Sequence, residues 1–234
     1  MITHNPIQPP PRSALLNETL TPLQLGSLAL QSPMLASAPR GRGERVIVLP
    51  GFGASDASTA VLRTFLNYLG YRASGWGLGR NEGDVLALLE RVKDSVLRLD
   101  DPVHLIGWSL GGYIAREVAR DIQNDVASVI TLGSPVVGGP KYTAVASMFE
   151  AADGTLDDVE QMVAERYAQP LTVPVTAIYS KLDGVVSWRA CIDSWSPNVE
   201  HIEVLSTHAG LGFSAHAFRI IARKLAERCP GPAN

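Results

Sequence analysis

Cysteine, charge and long apolar runs are all scarce in this 234-residue sequence, and each shortage excludes something. Two cysteines, Cys191 and Cys229, exclude a disulfide framework and a zinc site made of cysteines alone. Both are expected as free thiols. No H-E-x-x-H pattern and no Cys/His cluster occurs, so no metal is expected. The Walker pattern is absent, and Gly51-Phe52-Gly53 lacks the third glycine of a dinucleotide fingerprint, so no nucleotide cofactor is expected. Charged residues are 18%, below the roughly 25% of ordinary soluble domains. Net charge is −3, with no basic stripe and no charged tail, which argues against a nucleic-acid partner. Hydrophobic residues at 46% with so little net charge also exclude a disordered chain. No run reaches the roughly 18 apolar residues needed to cross a membrane. Arg12 is the only Lys or Arg among the first residues, and Asn17, Glu18 and Pro22 interrupt the leucines beyond it. That is a poor match to a signal peptide. A soluble, cytoplasmic protein is the expectation, while membrane contact and oligomeric state stay open.

The length predicts one domain. Residues 1–44 read as an N-terminal arm followed by a leucine-rich amphipathic segment. Thr21-Pro22 looks like an N-cap with proline at the first helical position, so two short helical pieces are expected. The segment is expected to pack on the core, with an interfacial anchor as the rival reading. From residue 45 onward, short apolar runs alternate with helical patterns. The runs are Arg45–Leu49, Tyr71–Leu78, Val103–Gly107, Val126–Leu132, Val173–Ser180 and Val199–Leu205. Asp84 should cap the helix carrying Val85, Leu88, Leu89, Val92 and Val96. Leu110, Ile114, Val118 and Ile122 mark another helix at four-residue spacing. This alternation predicts an α/β fold with a mostly parallel sheet covered by helices on both faces. It breaks once, over 136–170, where two helical patterns predict a small cap inserted into the domain of residues 45–234.

Gly107-Trp108-Ser109-Leu110-Gly111 is a G-x-S-x-G match between an apolar run and a helix. That is the setting in which a nucleophilic serine sits on a sharp strand-to-helix turn. Such a serine needs a base, and the base needs an orienting acid, in chain order Ser, Asp or Glu, His. His208 stands in a loop after a predicted strand and before the last helix. His104 and His201 lie within predicted strands, His216 in the last helix, and His4 in the arm. Asp183 follows the Val173–Ser180 run and precedes His208, and Asp193 is the rival acid. Backbone donors for an oxyanion are expected at Leu110 and at Phe52, in the Gly-rich loop after the first run. The apolar residues of the insertion, Met148, Phe149, Met162, Val163 and Tyr167, are candidates for an acyl pocket, as is Trp188. They equally suit the stripe that docks the insertion on the sheet. Trp108 is expected to pack under the insertion.

The segments LPGFG, GWSLGG, ITLGSP, YSKLDGVVSW and STHAGLGF resemble the α/β-hydrolase superfamily, in particular compact bacterial lipases and esterases. The resemblance covers about residues 45–135 and 171–226. It implies Ser109 as nucleophile, Asp183 as acid, His208 as base, and Phe52 and Leu110 as oxyanion donors. It also implies hydrolysis of a small-molecule or lipid carboxylic ester without a cofactor. The HGGG-type oxyanion motif is absent, since Pro50 precedes Gly51, which points to a simpler two-donor hole. Thioesterase, acyltransferase or amidase chemistry would use the same residues. A hydrolase fold acting only as a binding module is a further alternative.

Overall fold

The computed structural model describes residues 7–148 and 156–228. Six strands form one sheet: β1 (Arg45–Leu49), β2 (Arg72–Gly75), β3 (Val103–Trp108), β4 (Val126–Leu132), β5 (Val175–Tyr179) and β6 (Val199–Glu203). Their order is β2-β1-β3-β4-β5-β6, and every neighbouring pair is parallel. The helices are α1 (Thr21–Leu35), α2 (Ala60–Tyr68), α3 (Val85–Val96), α4 (Leu110–Asp121), α5 (Leu156–Tyr167) and α6 (Ala215–Glu227).

Alternate residues of each central strand feed opposite cores. In β1, Ile47 and Leu49 join α3 and α4 on one face, while Val46 and Val48 join α2 and α6 on the other. Burial on both faces is why the strands read as continuous apolar runs. The edge strands β2 and β6 are more exposed and carry Arg72, Glu200 and Glu203, charges that discourage further edge pairing. The chain turns to one side of β1 to make β2 and to the other to make β3. This places a switch in strand order between β1 and β3, where crevices of open parallel sheets form.

Several local expectations are corrected. β2 ends at Gly75 rather than Leu78, because the Asp56 carboxylate takes the next backbone donors, Trp76 N–H and Gly77 N–H, at 3.0 Å each. The first helical pattern of the insertion is two 3₁₀ turns, Gly139–Tyr142 and Ala146–Met148. Gly138 and Gly139 both take positive φ there, 68° and 58°, which an α-helix does not tolerate. Asp84 caps α3, its Oδ1 accepting from Ala87 N–H at 3.1 Å. Thr21 does not cap α1. Leu20 holds that position after a 3₁₀ segment over Arg12–Leu20, and the Thr21 hydroxyl pairs with that of Thr207 at 2.8 Å. The N-terminal segment packs on the core as expected, though not through all of its leucines. Leu28 and Leu35 meet the core, whereas Leu23 and Leu30 are 70% and 85% exposed. Among the described residues, no helix is long and apolar enough to cross a membrane.

Candidate active site

The turn between β3 and α4 is the most constrained point of the backbone. Ser109 has φ 54° and ψ −123°, and it is the only non-glycine with positive φ among the described residues. Holding a side-chain-bearing residue there costs about 1–3 kcal/mol, which the surroundings must impose. Two glycines permit it. A Cβ on Gly107 would lie 2.3 Å from Gly112 Cα, and one on Gly112 would lie 1.9 Å from Ser134 Oγ. Backbone bonds lock both sides of the turn. Ser109 N–H donates to Leu132 O at 2.8 Å, and Ser109 O accepts from Gly112 N–H at 2.9 Å. Leu110 is the first residue of α4, so its N–H stands at the positive end of the helix with no intrahelical acceptor.

The loop after β1 lies against this turn, with Gly51 close to the Ser109 side chain. Its shape depends on Asn81, which is fully buried. The Asn81 amide donates to Pro50 O at 2.9 Å. Its backbone accepts from Gly53 N–H at 2.7 Å and donates to Ala54 O at 2.8 Å. Three bonds from one residue hold the stretch that carries Phe52.

His208 follows β6 at the start of a 3₁₀ turn, Ala209–Phe213. Its Nδ1 lies 2.7 Å from Asp183 Oδ2, and both side chains are buried. The other carboxylate oxygen of Asp183 accepts from Val185 N–H at 2.8 Å and Val186 N–H at 2.7 Å. A proton on Nδ1 shared with Asp183 leaves Nε2 as the basic nitrogen. Burial alone would lower the imidazole pKa. The charge and hydrogen bond of Asp183, with a contribution from Glu18, outweigh it and raise the pKa. Trp108, the residue before Ser109, donates from its indole N–H to His208 O at 3.2 Å. Trp108 therefore packs against His208 and Phe213, not under the insertion as its sequence position suggested.

The other histidines and the rival acid are placed elsewhere. His104 Nδ1 pairs with Ser128 Oγ at 2.8 Å, and burial lowers its pKa to about 4. His201 Nε2 accepts from Asp193 N–H at 3.0 Å. Asp193 forms a buried ion pair with Arg116 and accepts from Tyr167 O–H at 2.7 Å. Burial opposes its ionisation, but Arg116 and these donors hold it well below the usual carboxylate range.

A cavity of about 280 Å³ opens beside Ser109. Phe52, Leu110, Tyr113, Val145, Met162 and Val186 are among its walls. Its volume is at the low end for small-molecule pockets, about 300–1,000 Å³. Among its described lining residues the only charged one is Asp84, whose carboxylate is engaged in capping α3. Among the described residues, no three His, Cys, Asp or Glu side chains converge to hold a metal ion.

Residues 30–228 match the model of the alpha/beta hydrolase family. The chain belongs to that family. A pimeloyl-(acyl-carrier protein) methyl ester esterase from Methylococcus capsulatus is 35% identical over 131 residues, 51% of this chain and 50% of that protein. One from Sodalis glossinidius is 29% identical over 149 residues, 62% of this chain and 53% of that protein. The chain spans about half the length of these curated relatives. A solved structure from work on the metagenome-derived lipolytic enzymes LipS and LipT matches with a TM-score of 0.60 at 16% identity. That match covers 81% of this chain and 95% of the other, and it concerns the fold.

Within this alpha/beta hydrolase, the structure brings Ser109, Leu110, Phe52 and Met162 to one cavity and joins Asp183 to His208. It places two of the predicted pocket residues away from that cavity. Tyr167 turns its hydroxyl to Asp193, and its pKa is pushed up to about 12, first by burial and then by that bond. Trp188 stacks on Tyr179 between Lys181 and Arg189 and lines a different hollow, shared with Pro9, Pro10 and Pro11. Phe149 lies outside the described residues, as do the side chain of Met148 and all of Cys229. Cys191 is a buried free thiol whose pKa burial pushes up.

Two contributors escaped the sequence reading. One is Asn81, which only the folded loop reveals. The other is Gly133, where a Cβ would lie 2.9 Å from Asp183 Oδ2 and 3.1 Å from His208 Nδ1. Its place after β4 in ITLGSP was the available signal.

Proposed function

We propose that this protein hydrolyses carboxylic esters through an acyl-enzyme on Ser109. The observation that carries the reading is the positive φ of Ser109, strain that a structural turn has no need to hold. In the proposed reaction, His208 Nε2 takes the Ser109 hydroxyl proton as Oγ attacks the ester carbon. Asp183 keeps the imidazole in the required tautomer and stabilises the imidazolium. Leu110 N–H and Phe52 N–H receive the oxyanion. The imidazolium then protonates the departing alcohol, leaving the acyl group on Oγ. Water, deprotonated by the same nitrogen, releases the acid. No cofactor takes part in these steps. The apolar cavity favours an uncharged acyl chain, from a small-molecule or lipid ester. The two curated relatives named as methyl ester esterases support an ester over a thioester or an amide.

The test is labelling with a fluorophosphonate, followed by peptide mapping, beside hydrolysis of p-nitrophenyl butyrate. Label on Ser109, and a loss of activity on the order of 10⁴-fold or more in Ser109→Ala, are expected. Absence of label in folded protein overturns the reading. Faster turnover of thioester or amide analogues of equal chain length would replace the ester by that class.

A further inference from the structure

The N-terminal segment reaches the two loops that carry Asp183 and His208, and it does so with the Glu18 carboxylate. Glu18 Oε1 accepts from His208 N–H at 2.8 Å and from Gly184 N–H at 3.0 Å. Glu18 Oε2 accepts from Ala209 N–H at 2.9 Å. One side chain thus takes three backbone protons from loops after β5 and β6, 166 to 191 residues away in sequence. Hydrogen bonds to an ionised acceptor are about twice as strong as neutral ones.

The neighbouring residues follow the same path. Asn17 donates to Leu182 O at 3.1 Å, and Thr21 meets Thr207 at 2.8 Å. The Gln24 amide faces Ser206, Thr207 and Gly210 at 3.0–3.2 Å. The main chain passes so close that a Cβ on Gly184 would lie 2.2 Å from Ala14 O. Every residue from Ser206 to Gly210 except Ala209 is buried.

We propose that Glu18 is a positioning residue for the acid–base pair, clamping the Asp183 loop to the His208 loop. This rests on the ester-hydrolase reading above. The imidazole gains a positive charge in each half of that reaction, so a fixed carboxylate beside its backbone both orients it and favours the charged form. The ionisable groups facing His208 are Asp183 and Glu18. Trp108 from β3, Gly133 after β4 and Leu211 on its own turn are uncharged.

The experiment compares the wild-type chain with Glu18→Gln and Glu18→Ala. Three measurements are made: the pH profile of kcat/KM on p-nitrophenyl butyrate, the His208 imidazole titration by NMR, and amide hydrogen exchange. In Glu18→Gln the His208 titration and the acid limb of the profile should move to lower pH, by roughly half a unit to one unit. In Glu18→Ala kcat should fall up to about 100-fold, the scale of a displaced reacting group. The amides of Gly184, His208 and Ala209 should be protected from exchange in the wild type and lose protection in both variants. An unmoved titration and unchanged kcat in folded variants overturn the proposal. So does fast exchange of those three amides in the wild type, a result independent of whether a variant folds. A wild type that neither hydrolyses ester nor labels at Ser109 refutes the functional reading instead, and the NMR and exchange arms still decide the clamp.

Discussion

The insertion after β4 and the segment before β1 both reach the candidate site, and their polar anchors differ. The insertion is held by backbone bonds such as Ala144 N–H to Val185 O at 2.7 Å, by buried Val163, and by ion pairs. Arg166 of α5 pairs with Glu117 and with Asp121 on α4, and Tyr167 bonds to the Arg116–Asp193 pair. Its inner side presents Met162 and Val163 to the cavity. The N-terminal segment docks through Leu28 and Leu35 and through hydrogen bonds to backbone and hydroxyl groups, those of the Glu18 carboxylate among them. The flank that lines an apolar cavity keeps its polar anchors outside the cavity lining. The flank that touches the Asp183 and His208 loops does so with an acceptor matched to backbone donors. In the proposed function, substrate choice would fall to the first flank and proton chemistry to the second.

Exchanging the roles of the two aspartates is the hardest test of that division. Asp183→Asn should lower kcat on the order of 10⁴-fold in a folded protein, because the amide no longer fixes the reactive tautomer. Steady-state hydrolysis beside a thermal melt reads both sides. Asp193→Asn should do the reverse. It leaves Arg116 buried without a compensating charge and should cost about 3–5 kcal/mol, seen as a lowered Tm, with kcat at low temperature near wild type. Equal activity losses in the two variants would erase the distinction between the flanks.

Met162→Trp narrows the cavity from the insertion side. Hexanoyl and octanoyl esters should lose about 10-fold or more in kcat/KM relative to the acetyl ester, with the pH profile unmoved. The pH dependence itself belongs to the other flank. In the proposed mechanism neutral His208 is the base, so activity should fall as pH drops through a value above the ordinary 6.5. The same raised pKa means that the pair's contribution to stability is full below 6.5 and is lost as pH rises through the folded value. A pH–rate profile whose acid limb lies below 6.5 contradicts this. The smallest effect is expected from Thr21→Val, which removes one hydroxyl pair of the N-terminal flank. It should cost about 1 kcal/mol in urea denaturation.

Much of this arrangement is legible locally. β1 and β4 occupy the residues that their apolar runs mark. Asp84 caps α3 because its neighbours require an N-cap there. The β3–Ser109–α4 turn follows from glycines that remove the side chains which would collide. Other features carried no local mark. Tyr167 has an apolar ring at helical spacing, but its hydroxyl found an acceptor in Asp193. Trp188 sits near Asp183 in sequence and faces another hollow. Trp108 turns toward His208, where its indole N–H shares the His208 carbonyl with Leu211 N–H. The N-terminal segment packs on the core as expected, but its sequence did not mark which leucines do so: Leu28 and Leu35 meet the core, while Leu23 and Leu30 stay outside.

The sequence by itself determined the alternating strands and helices and the glycine-flanked serine turn between them. Those follow from interactions over a few residues: apolar runs buried on both faces, caps, and glycines at crowded turns. Tertiary structure alone decided which carboxylate meets His208, what lines the cavity, and that Glu18 ties two distant loops together. These contacts join groups 25 to 191 positions apart. At such separations packing of the whole sheet chooses the partner, and no local period encodes it.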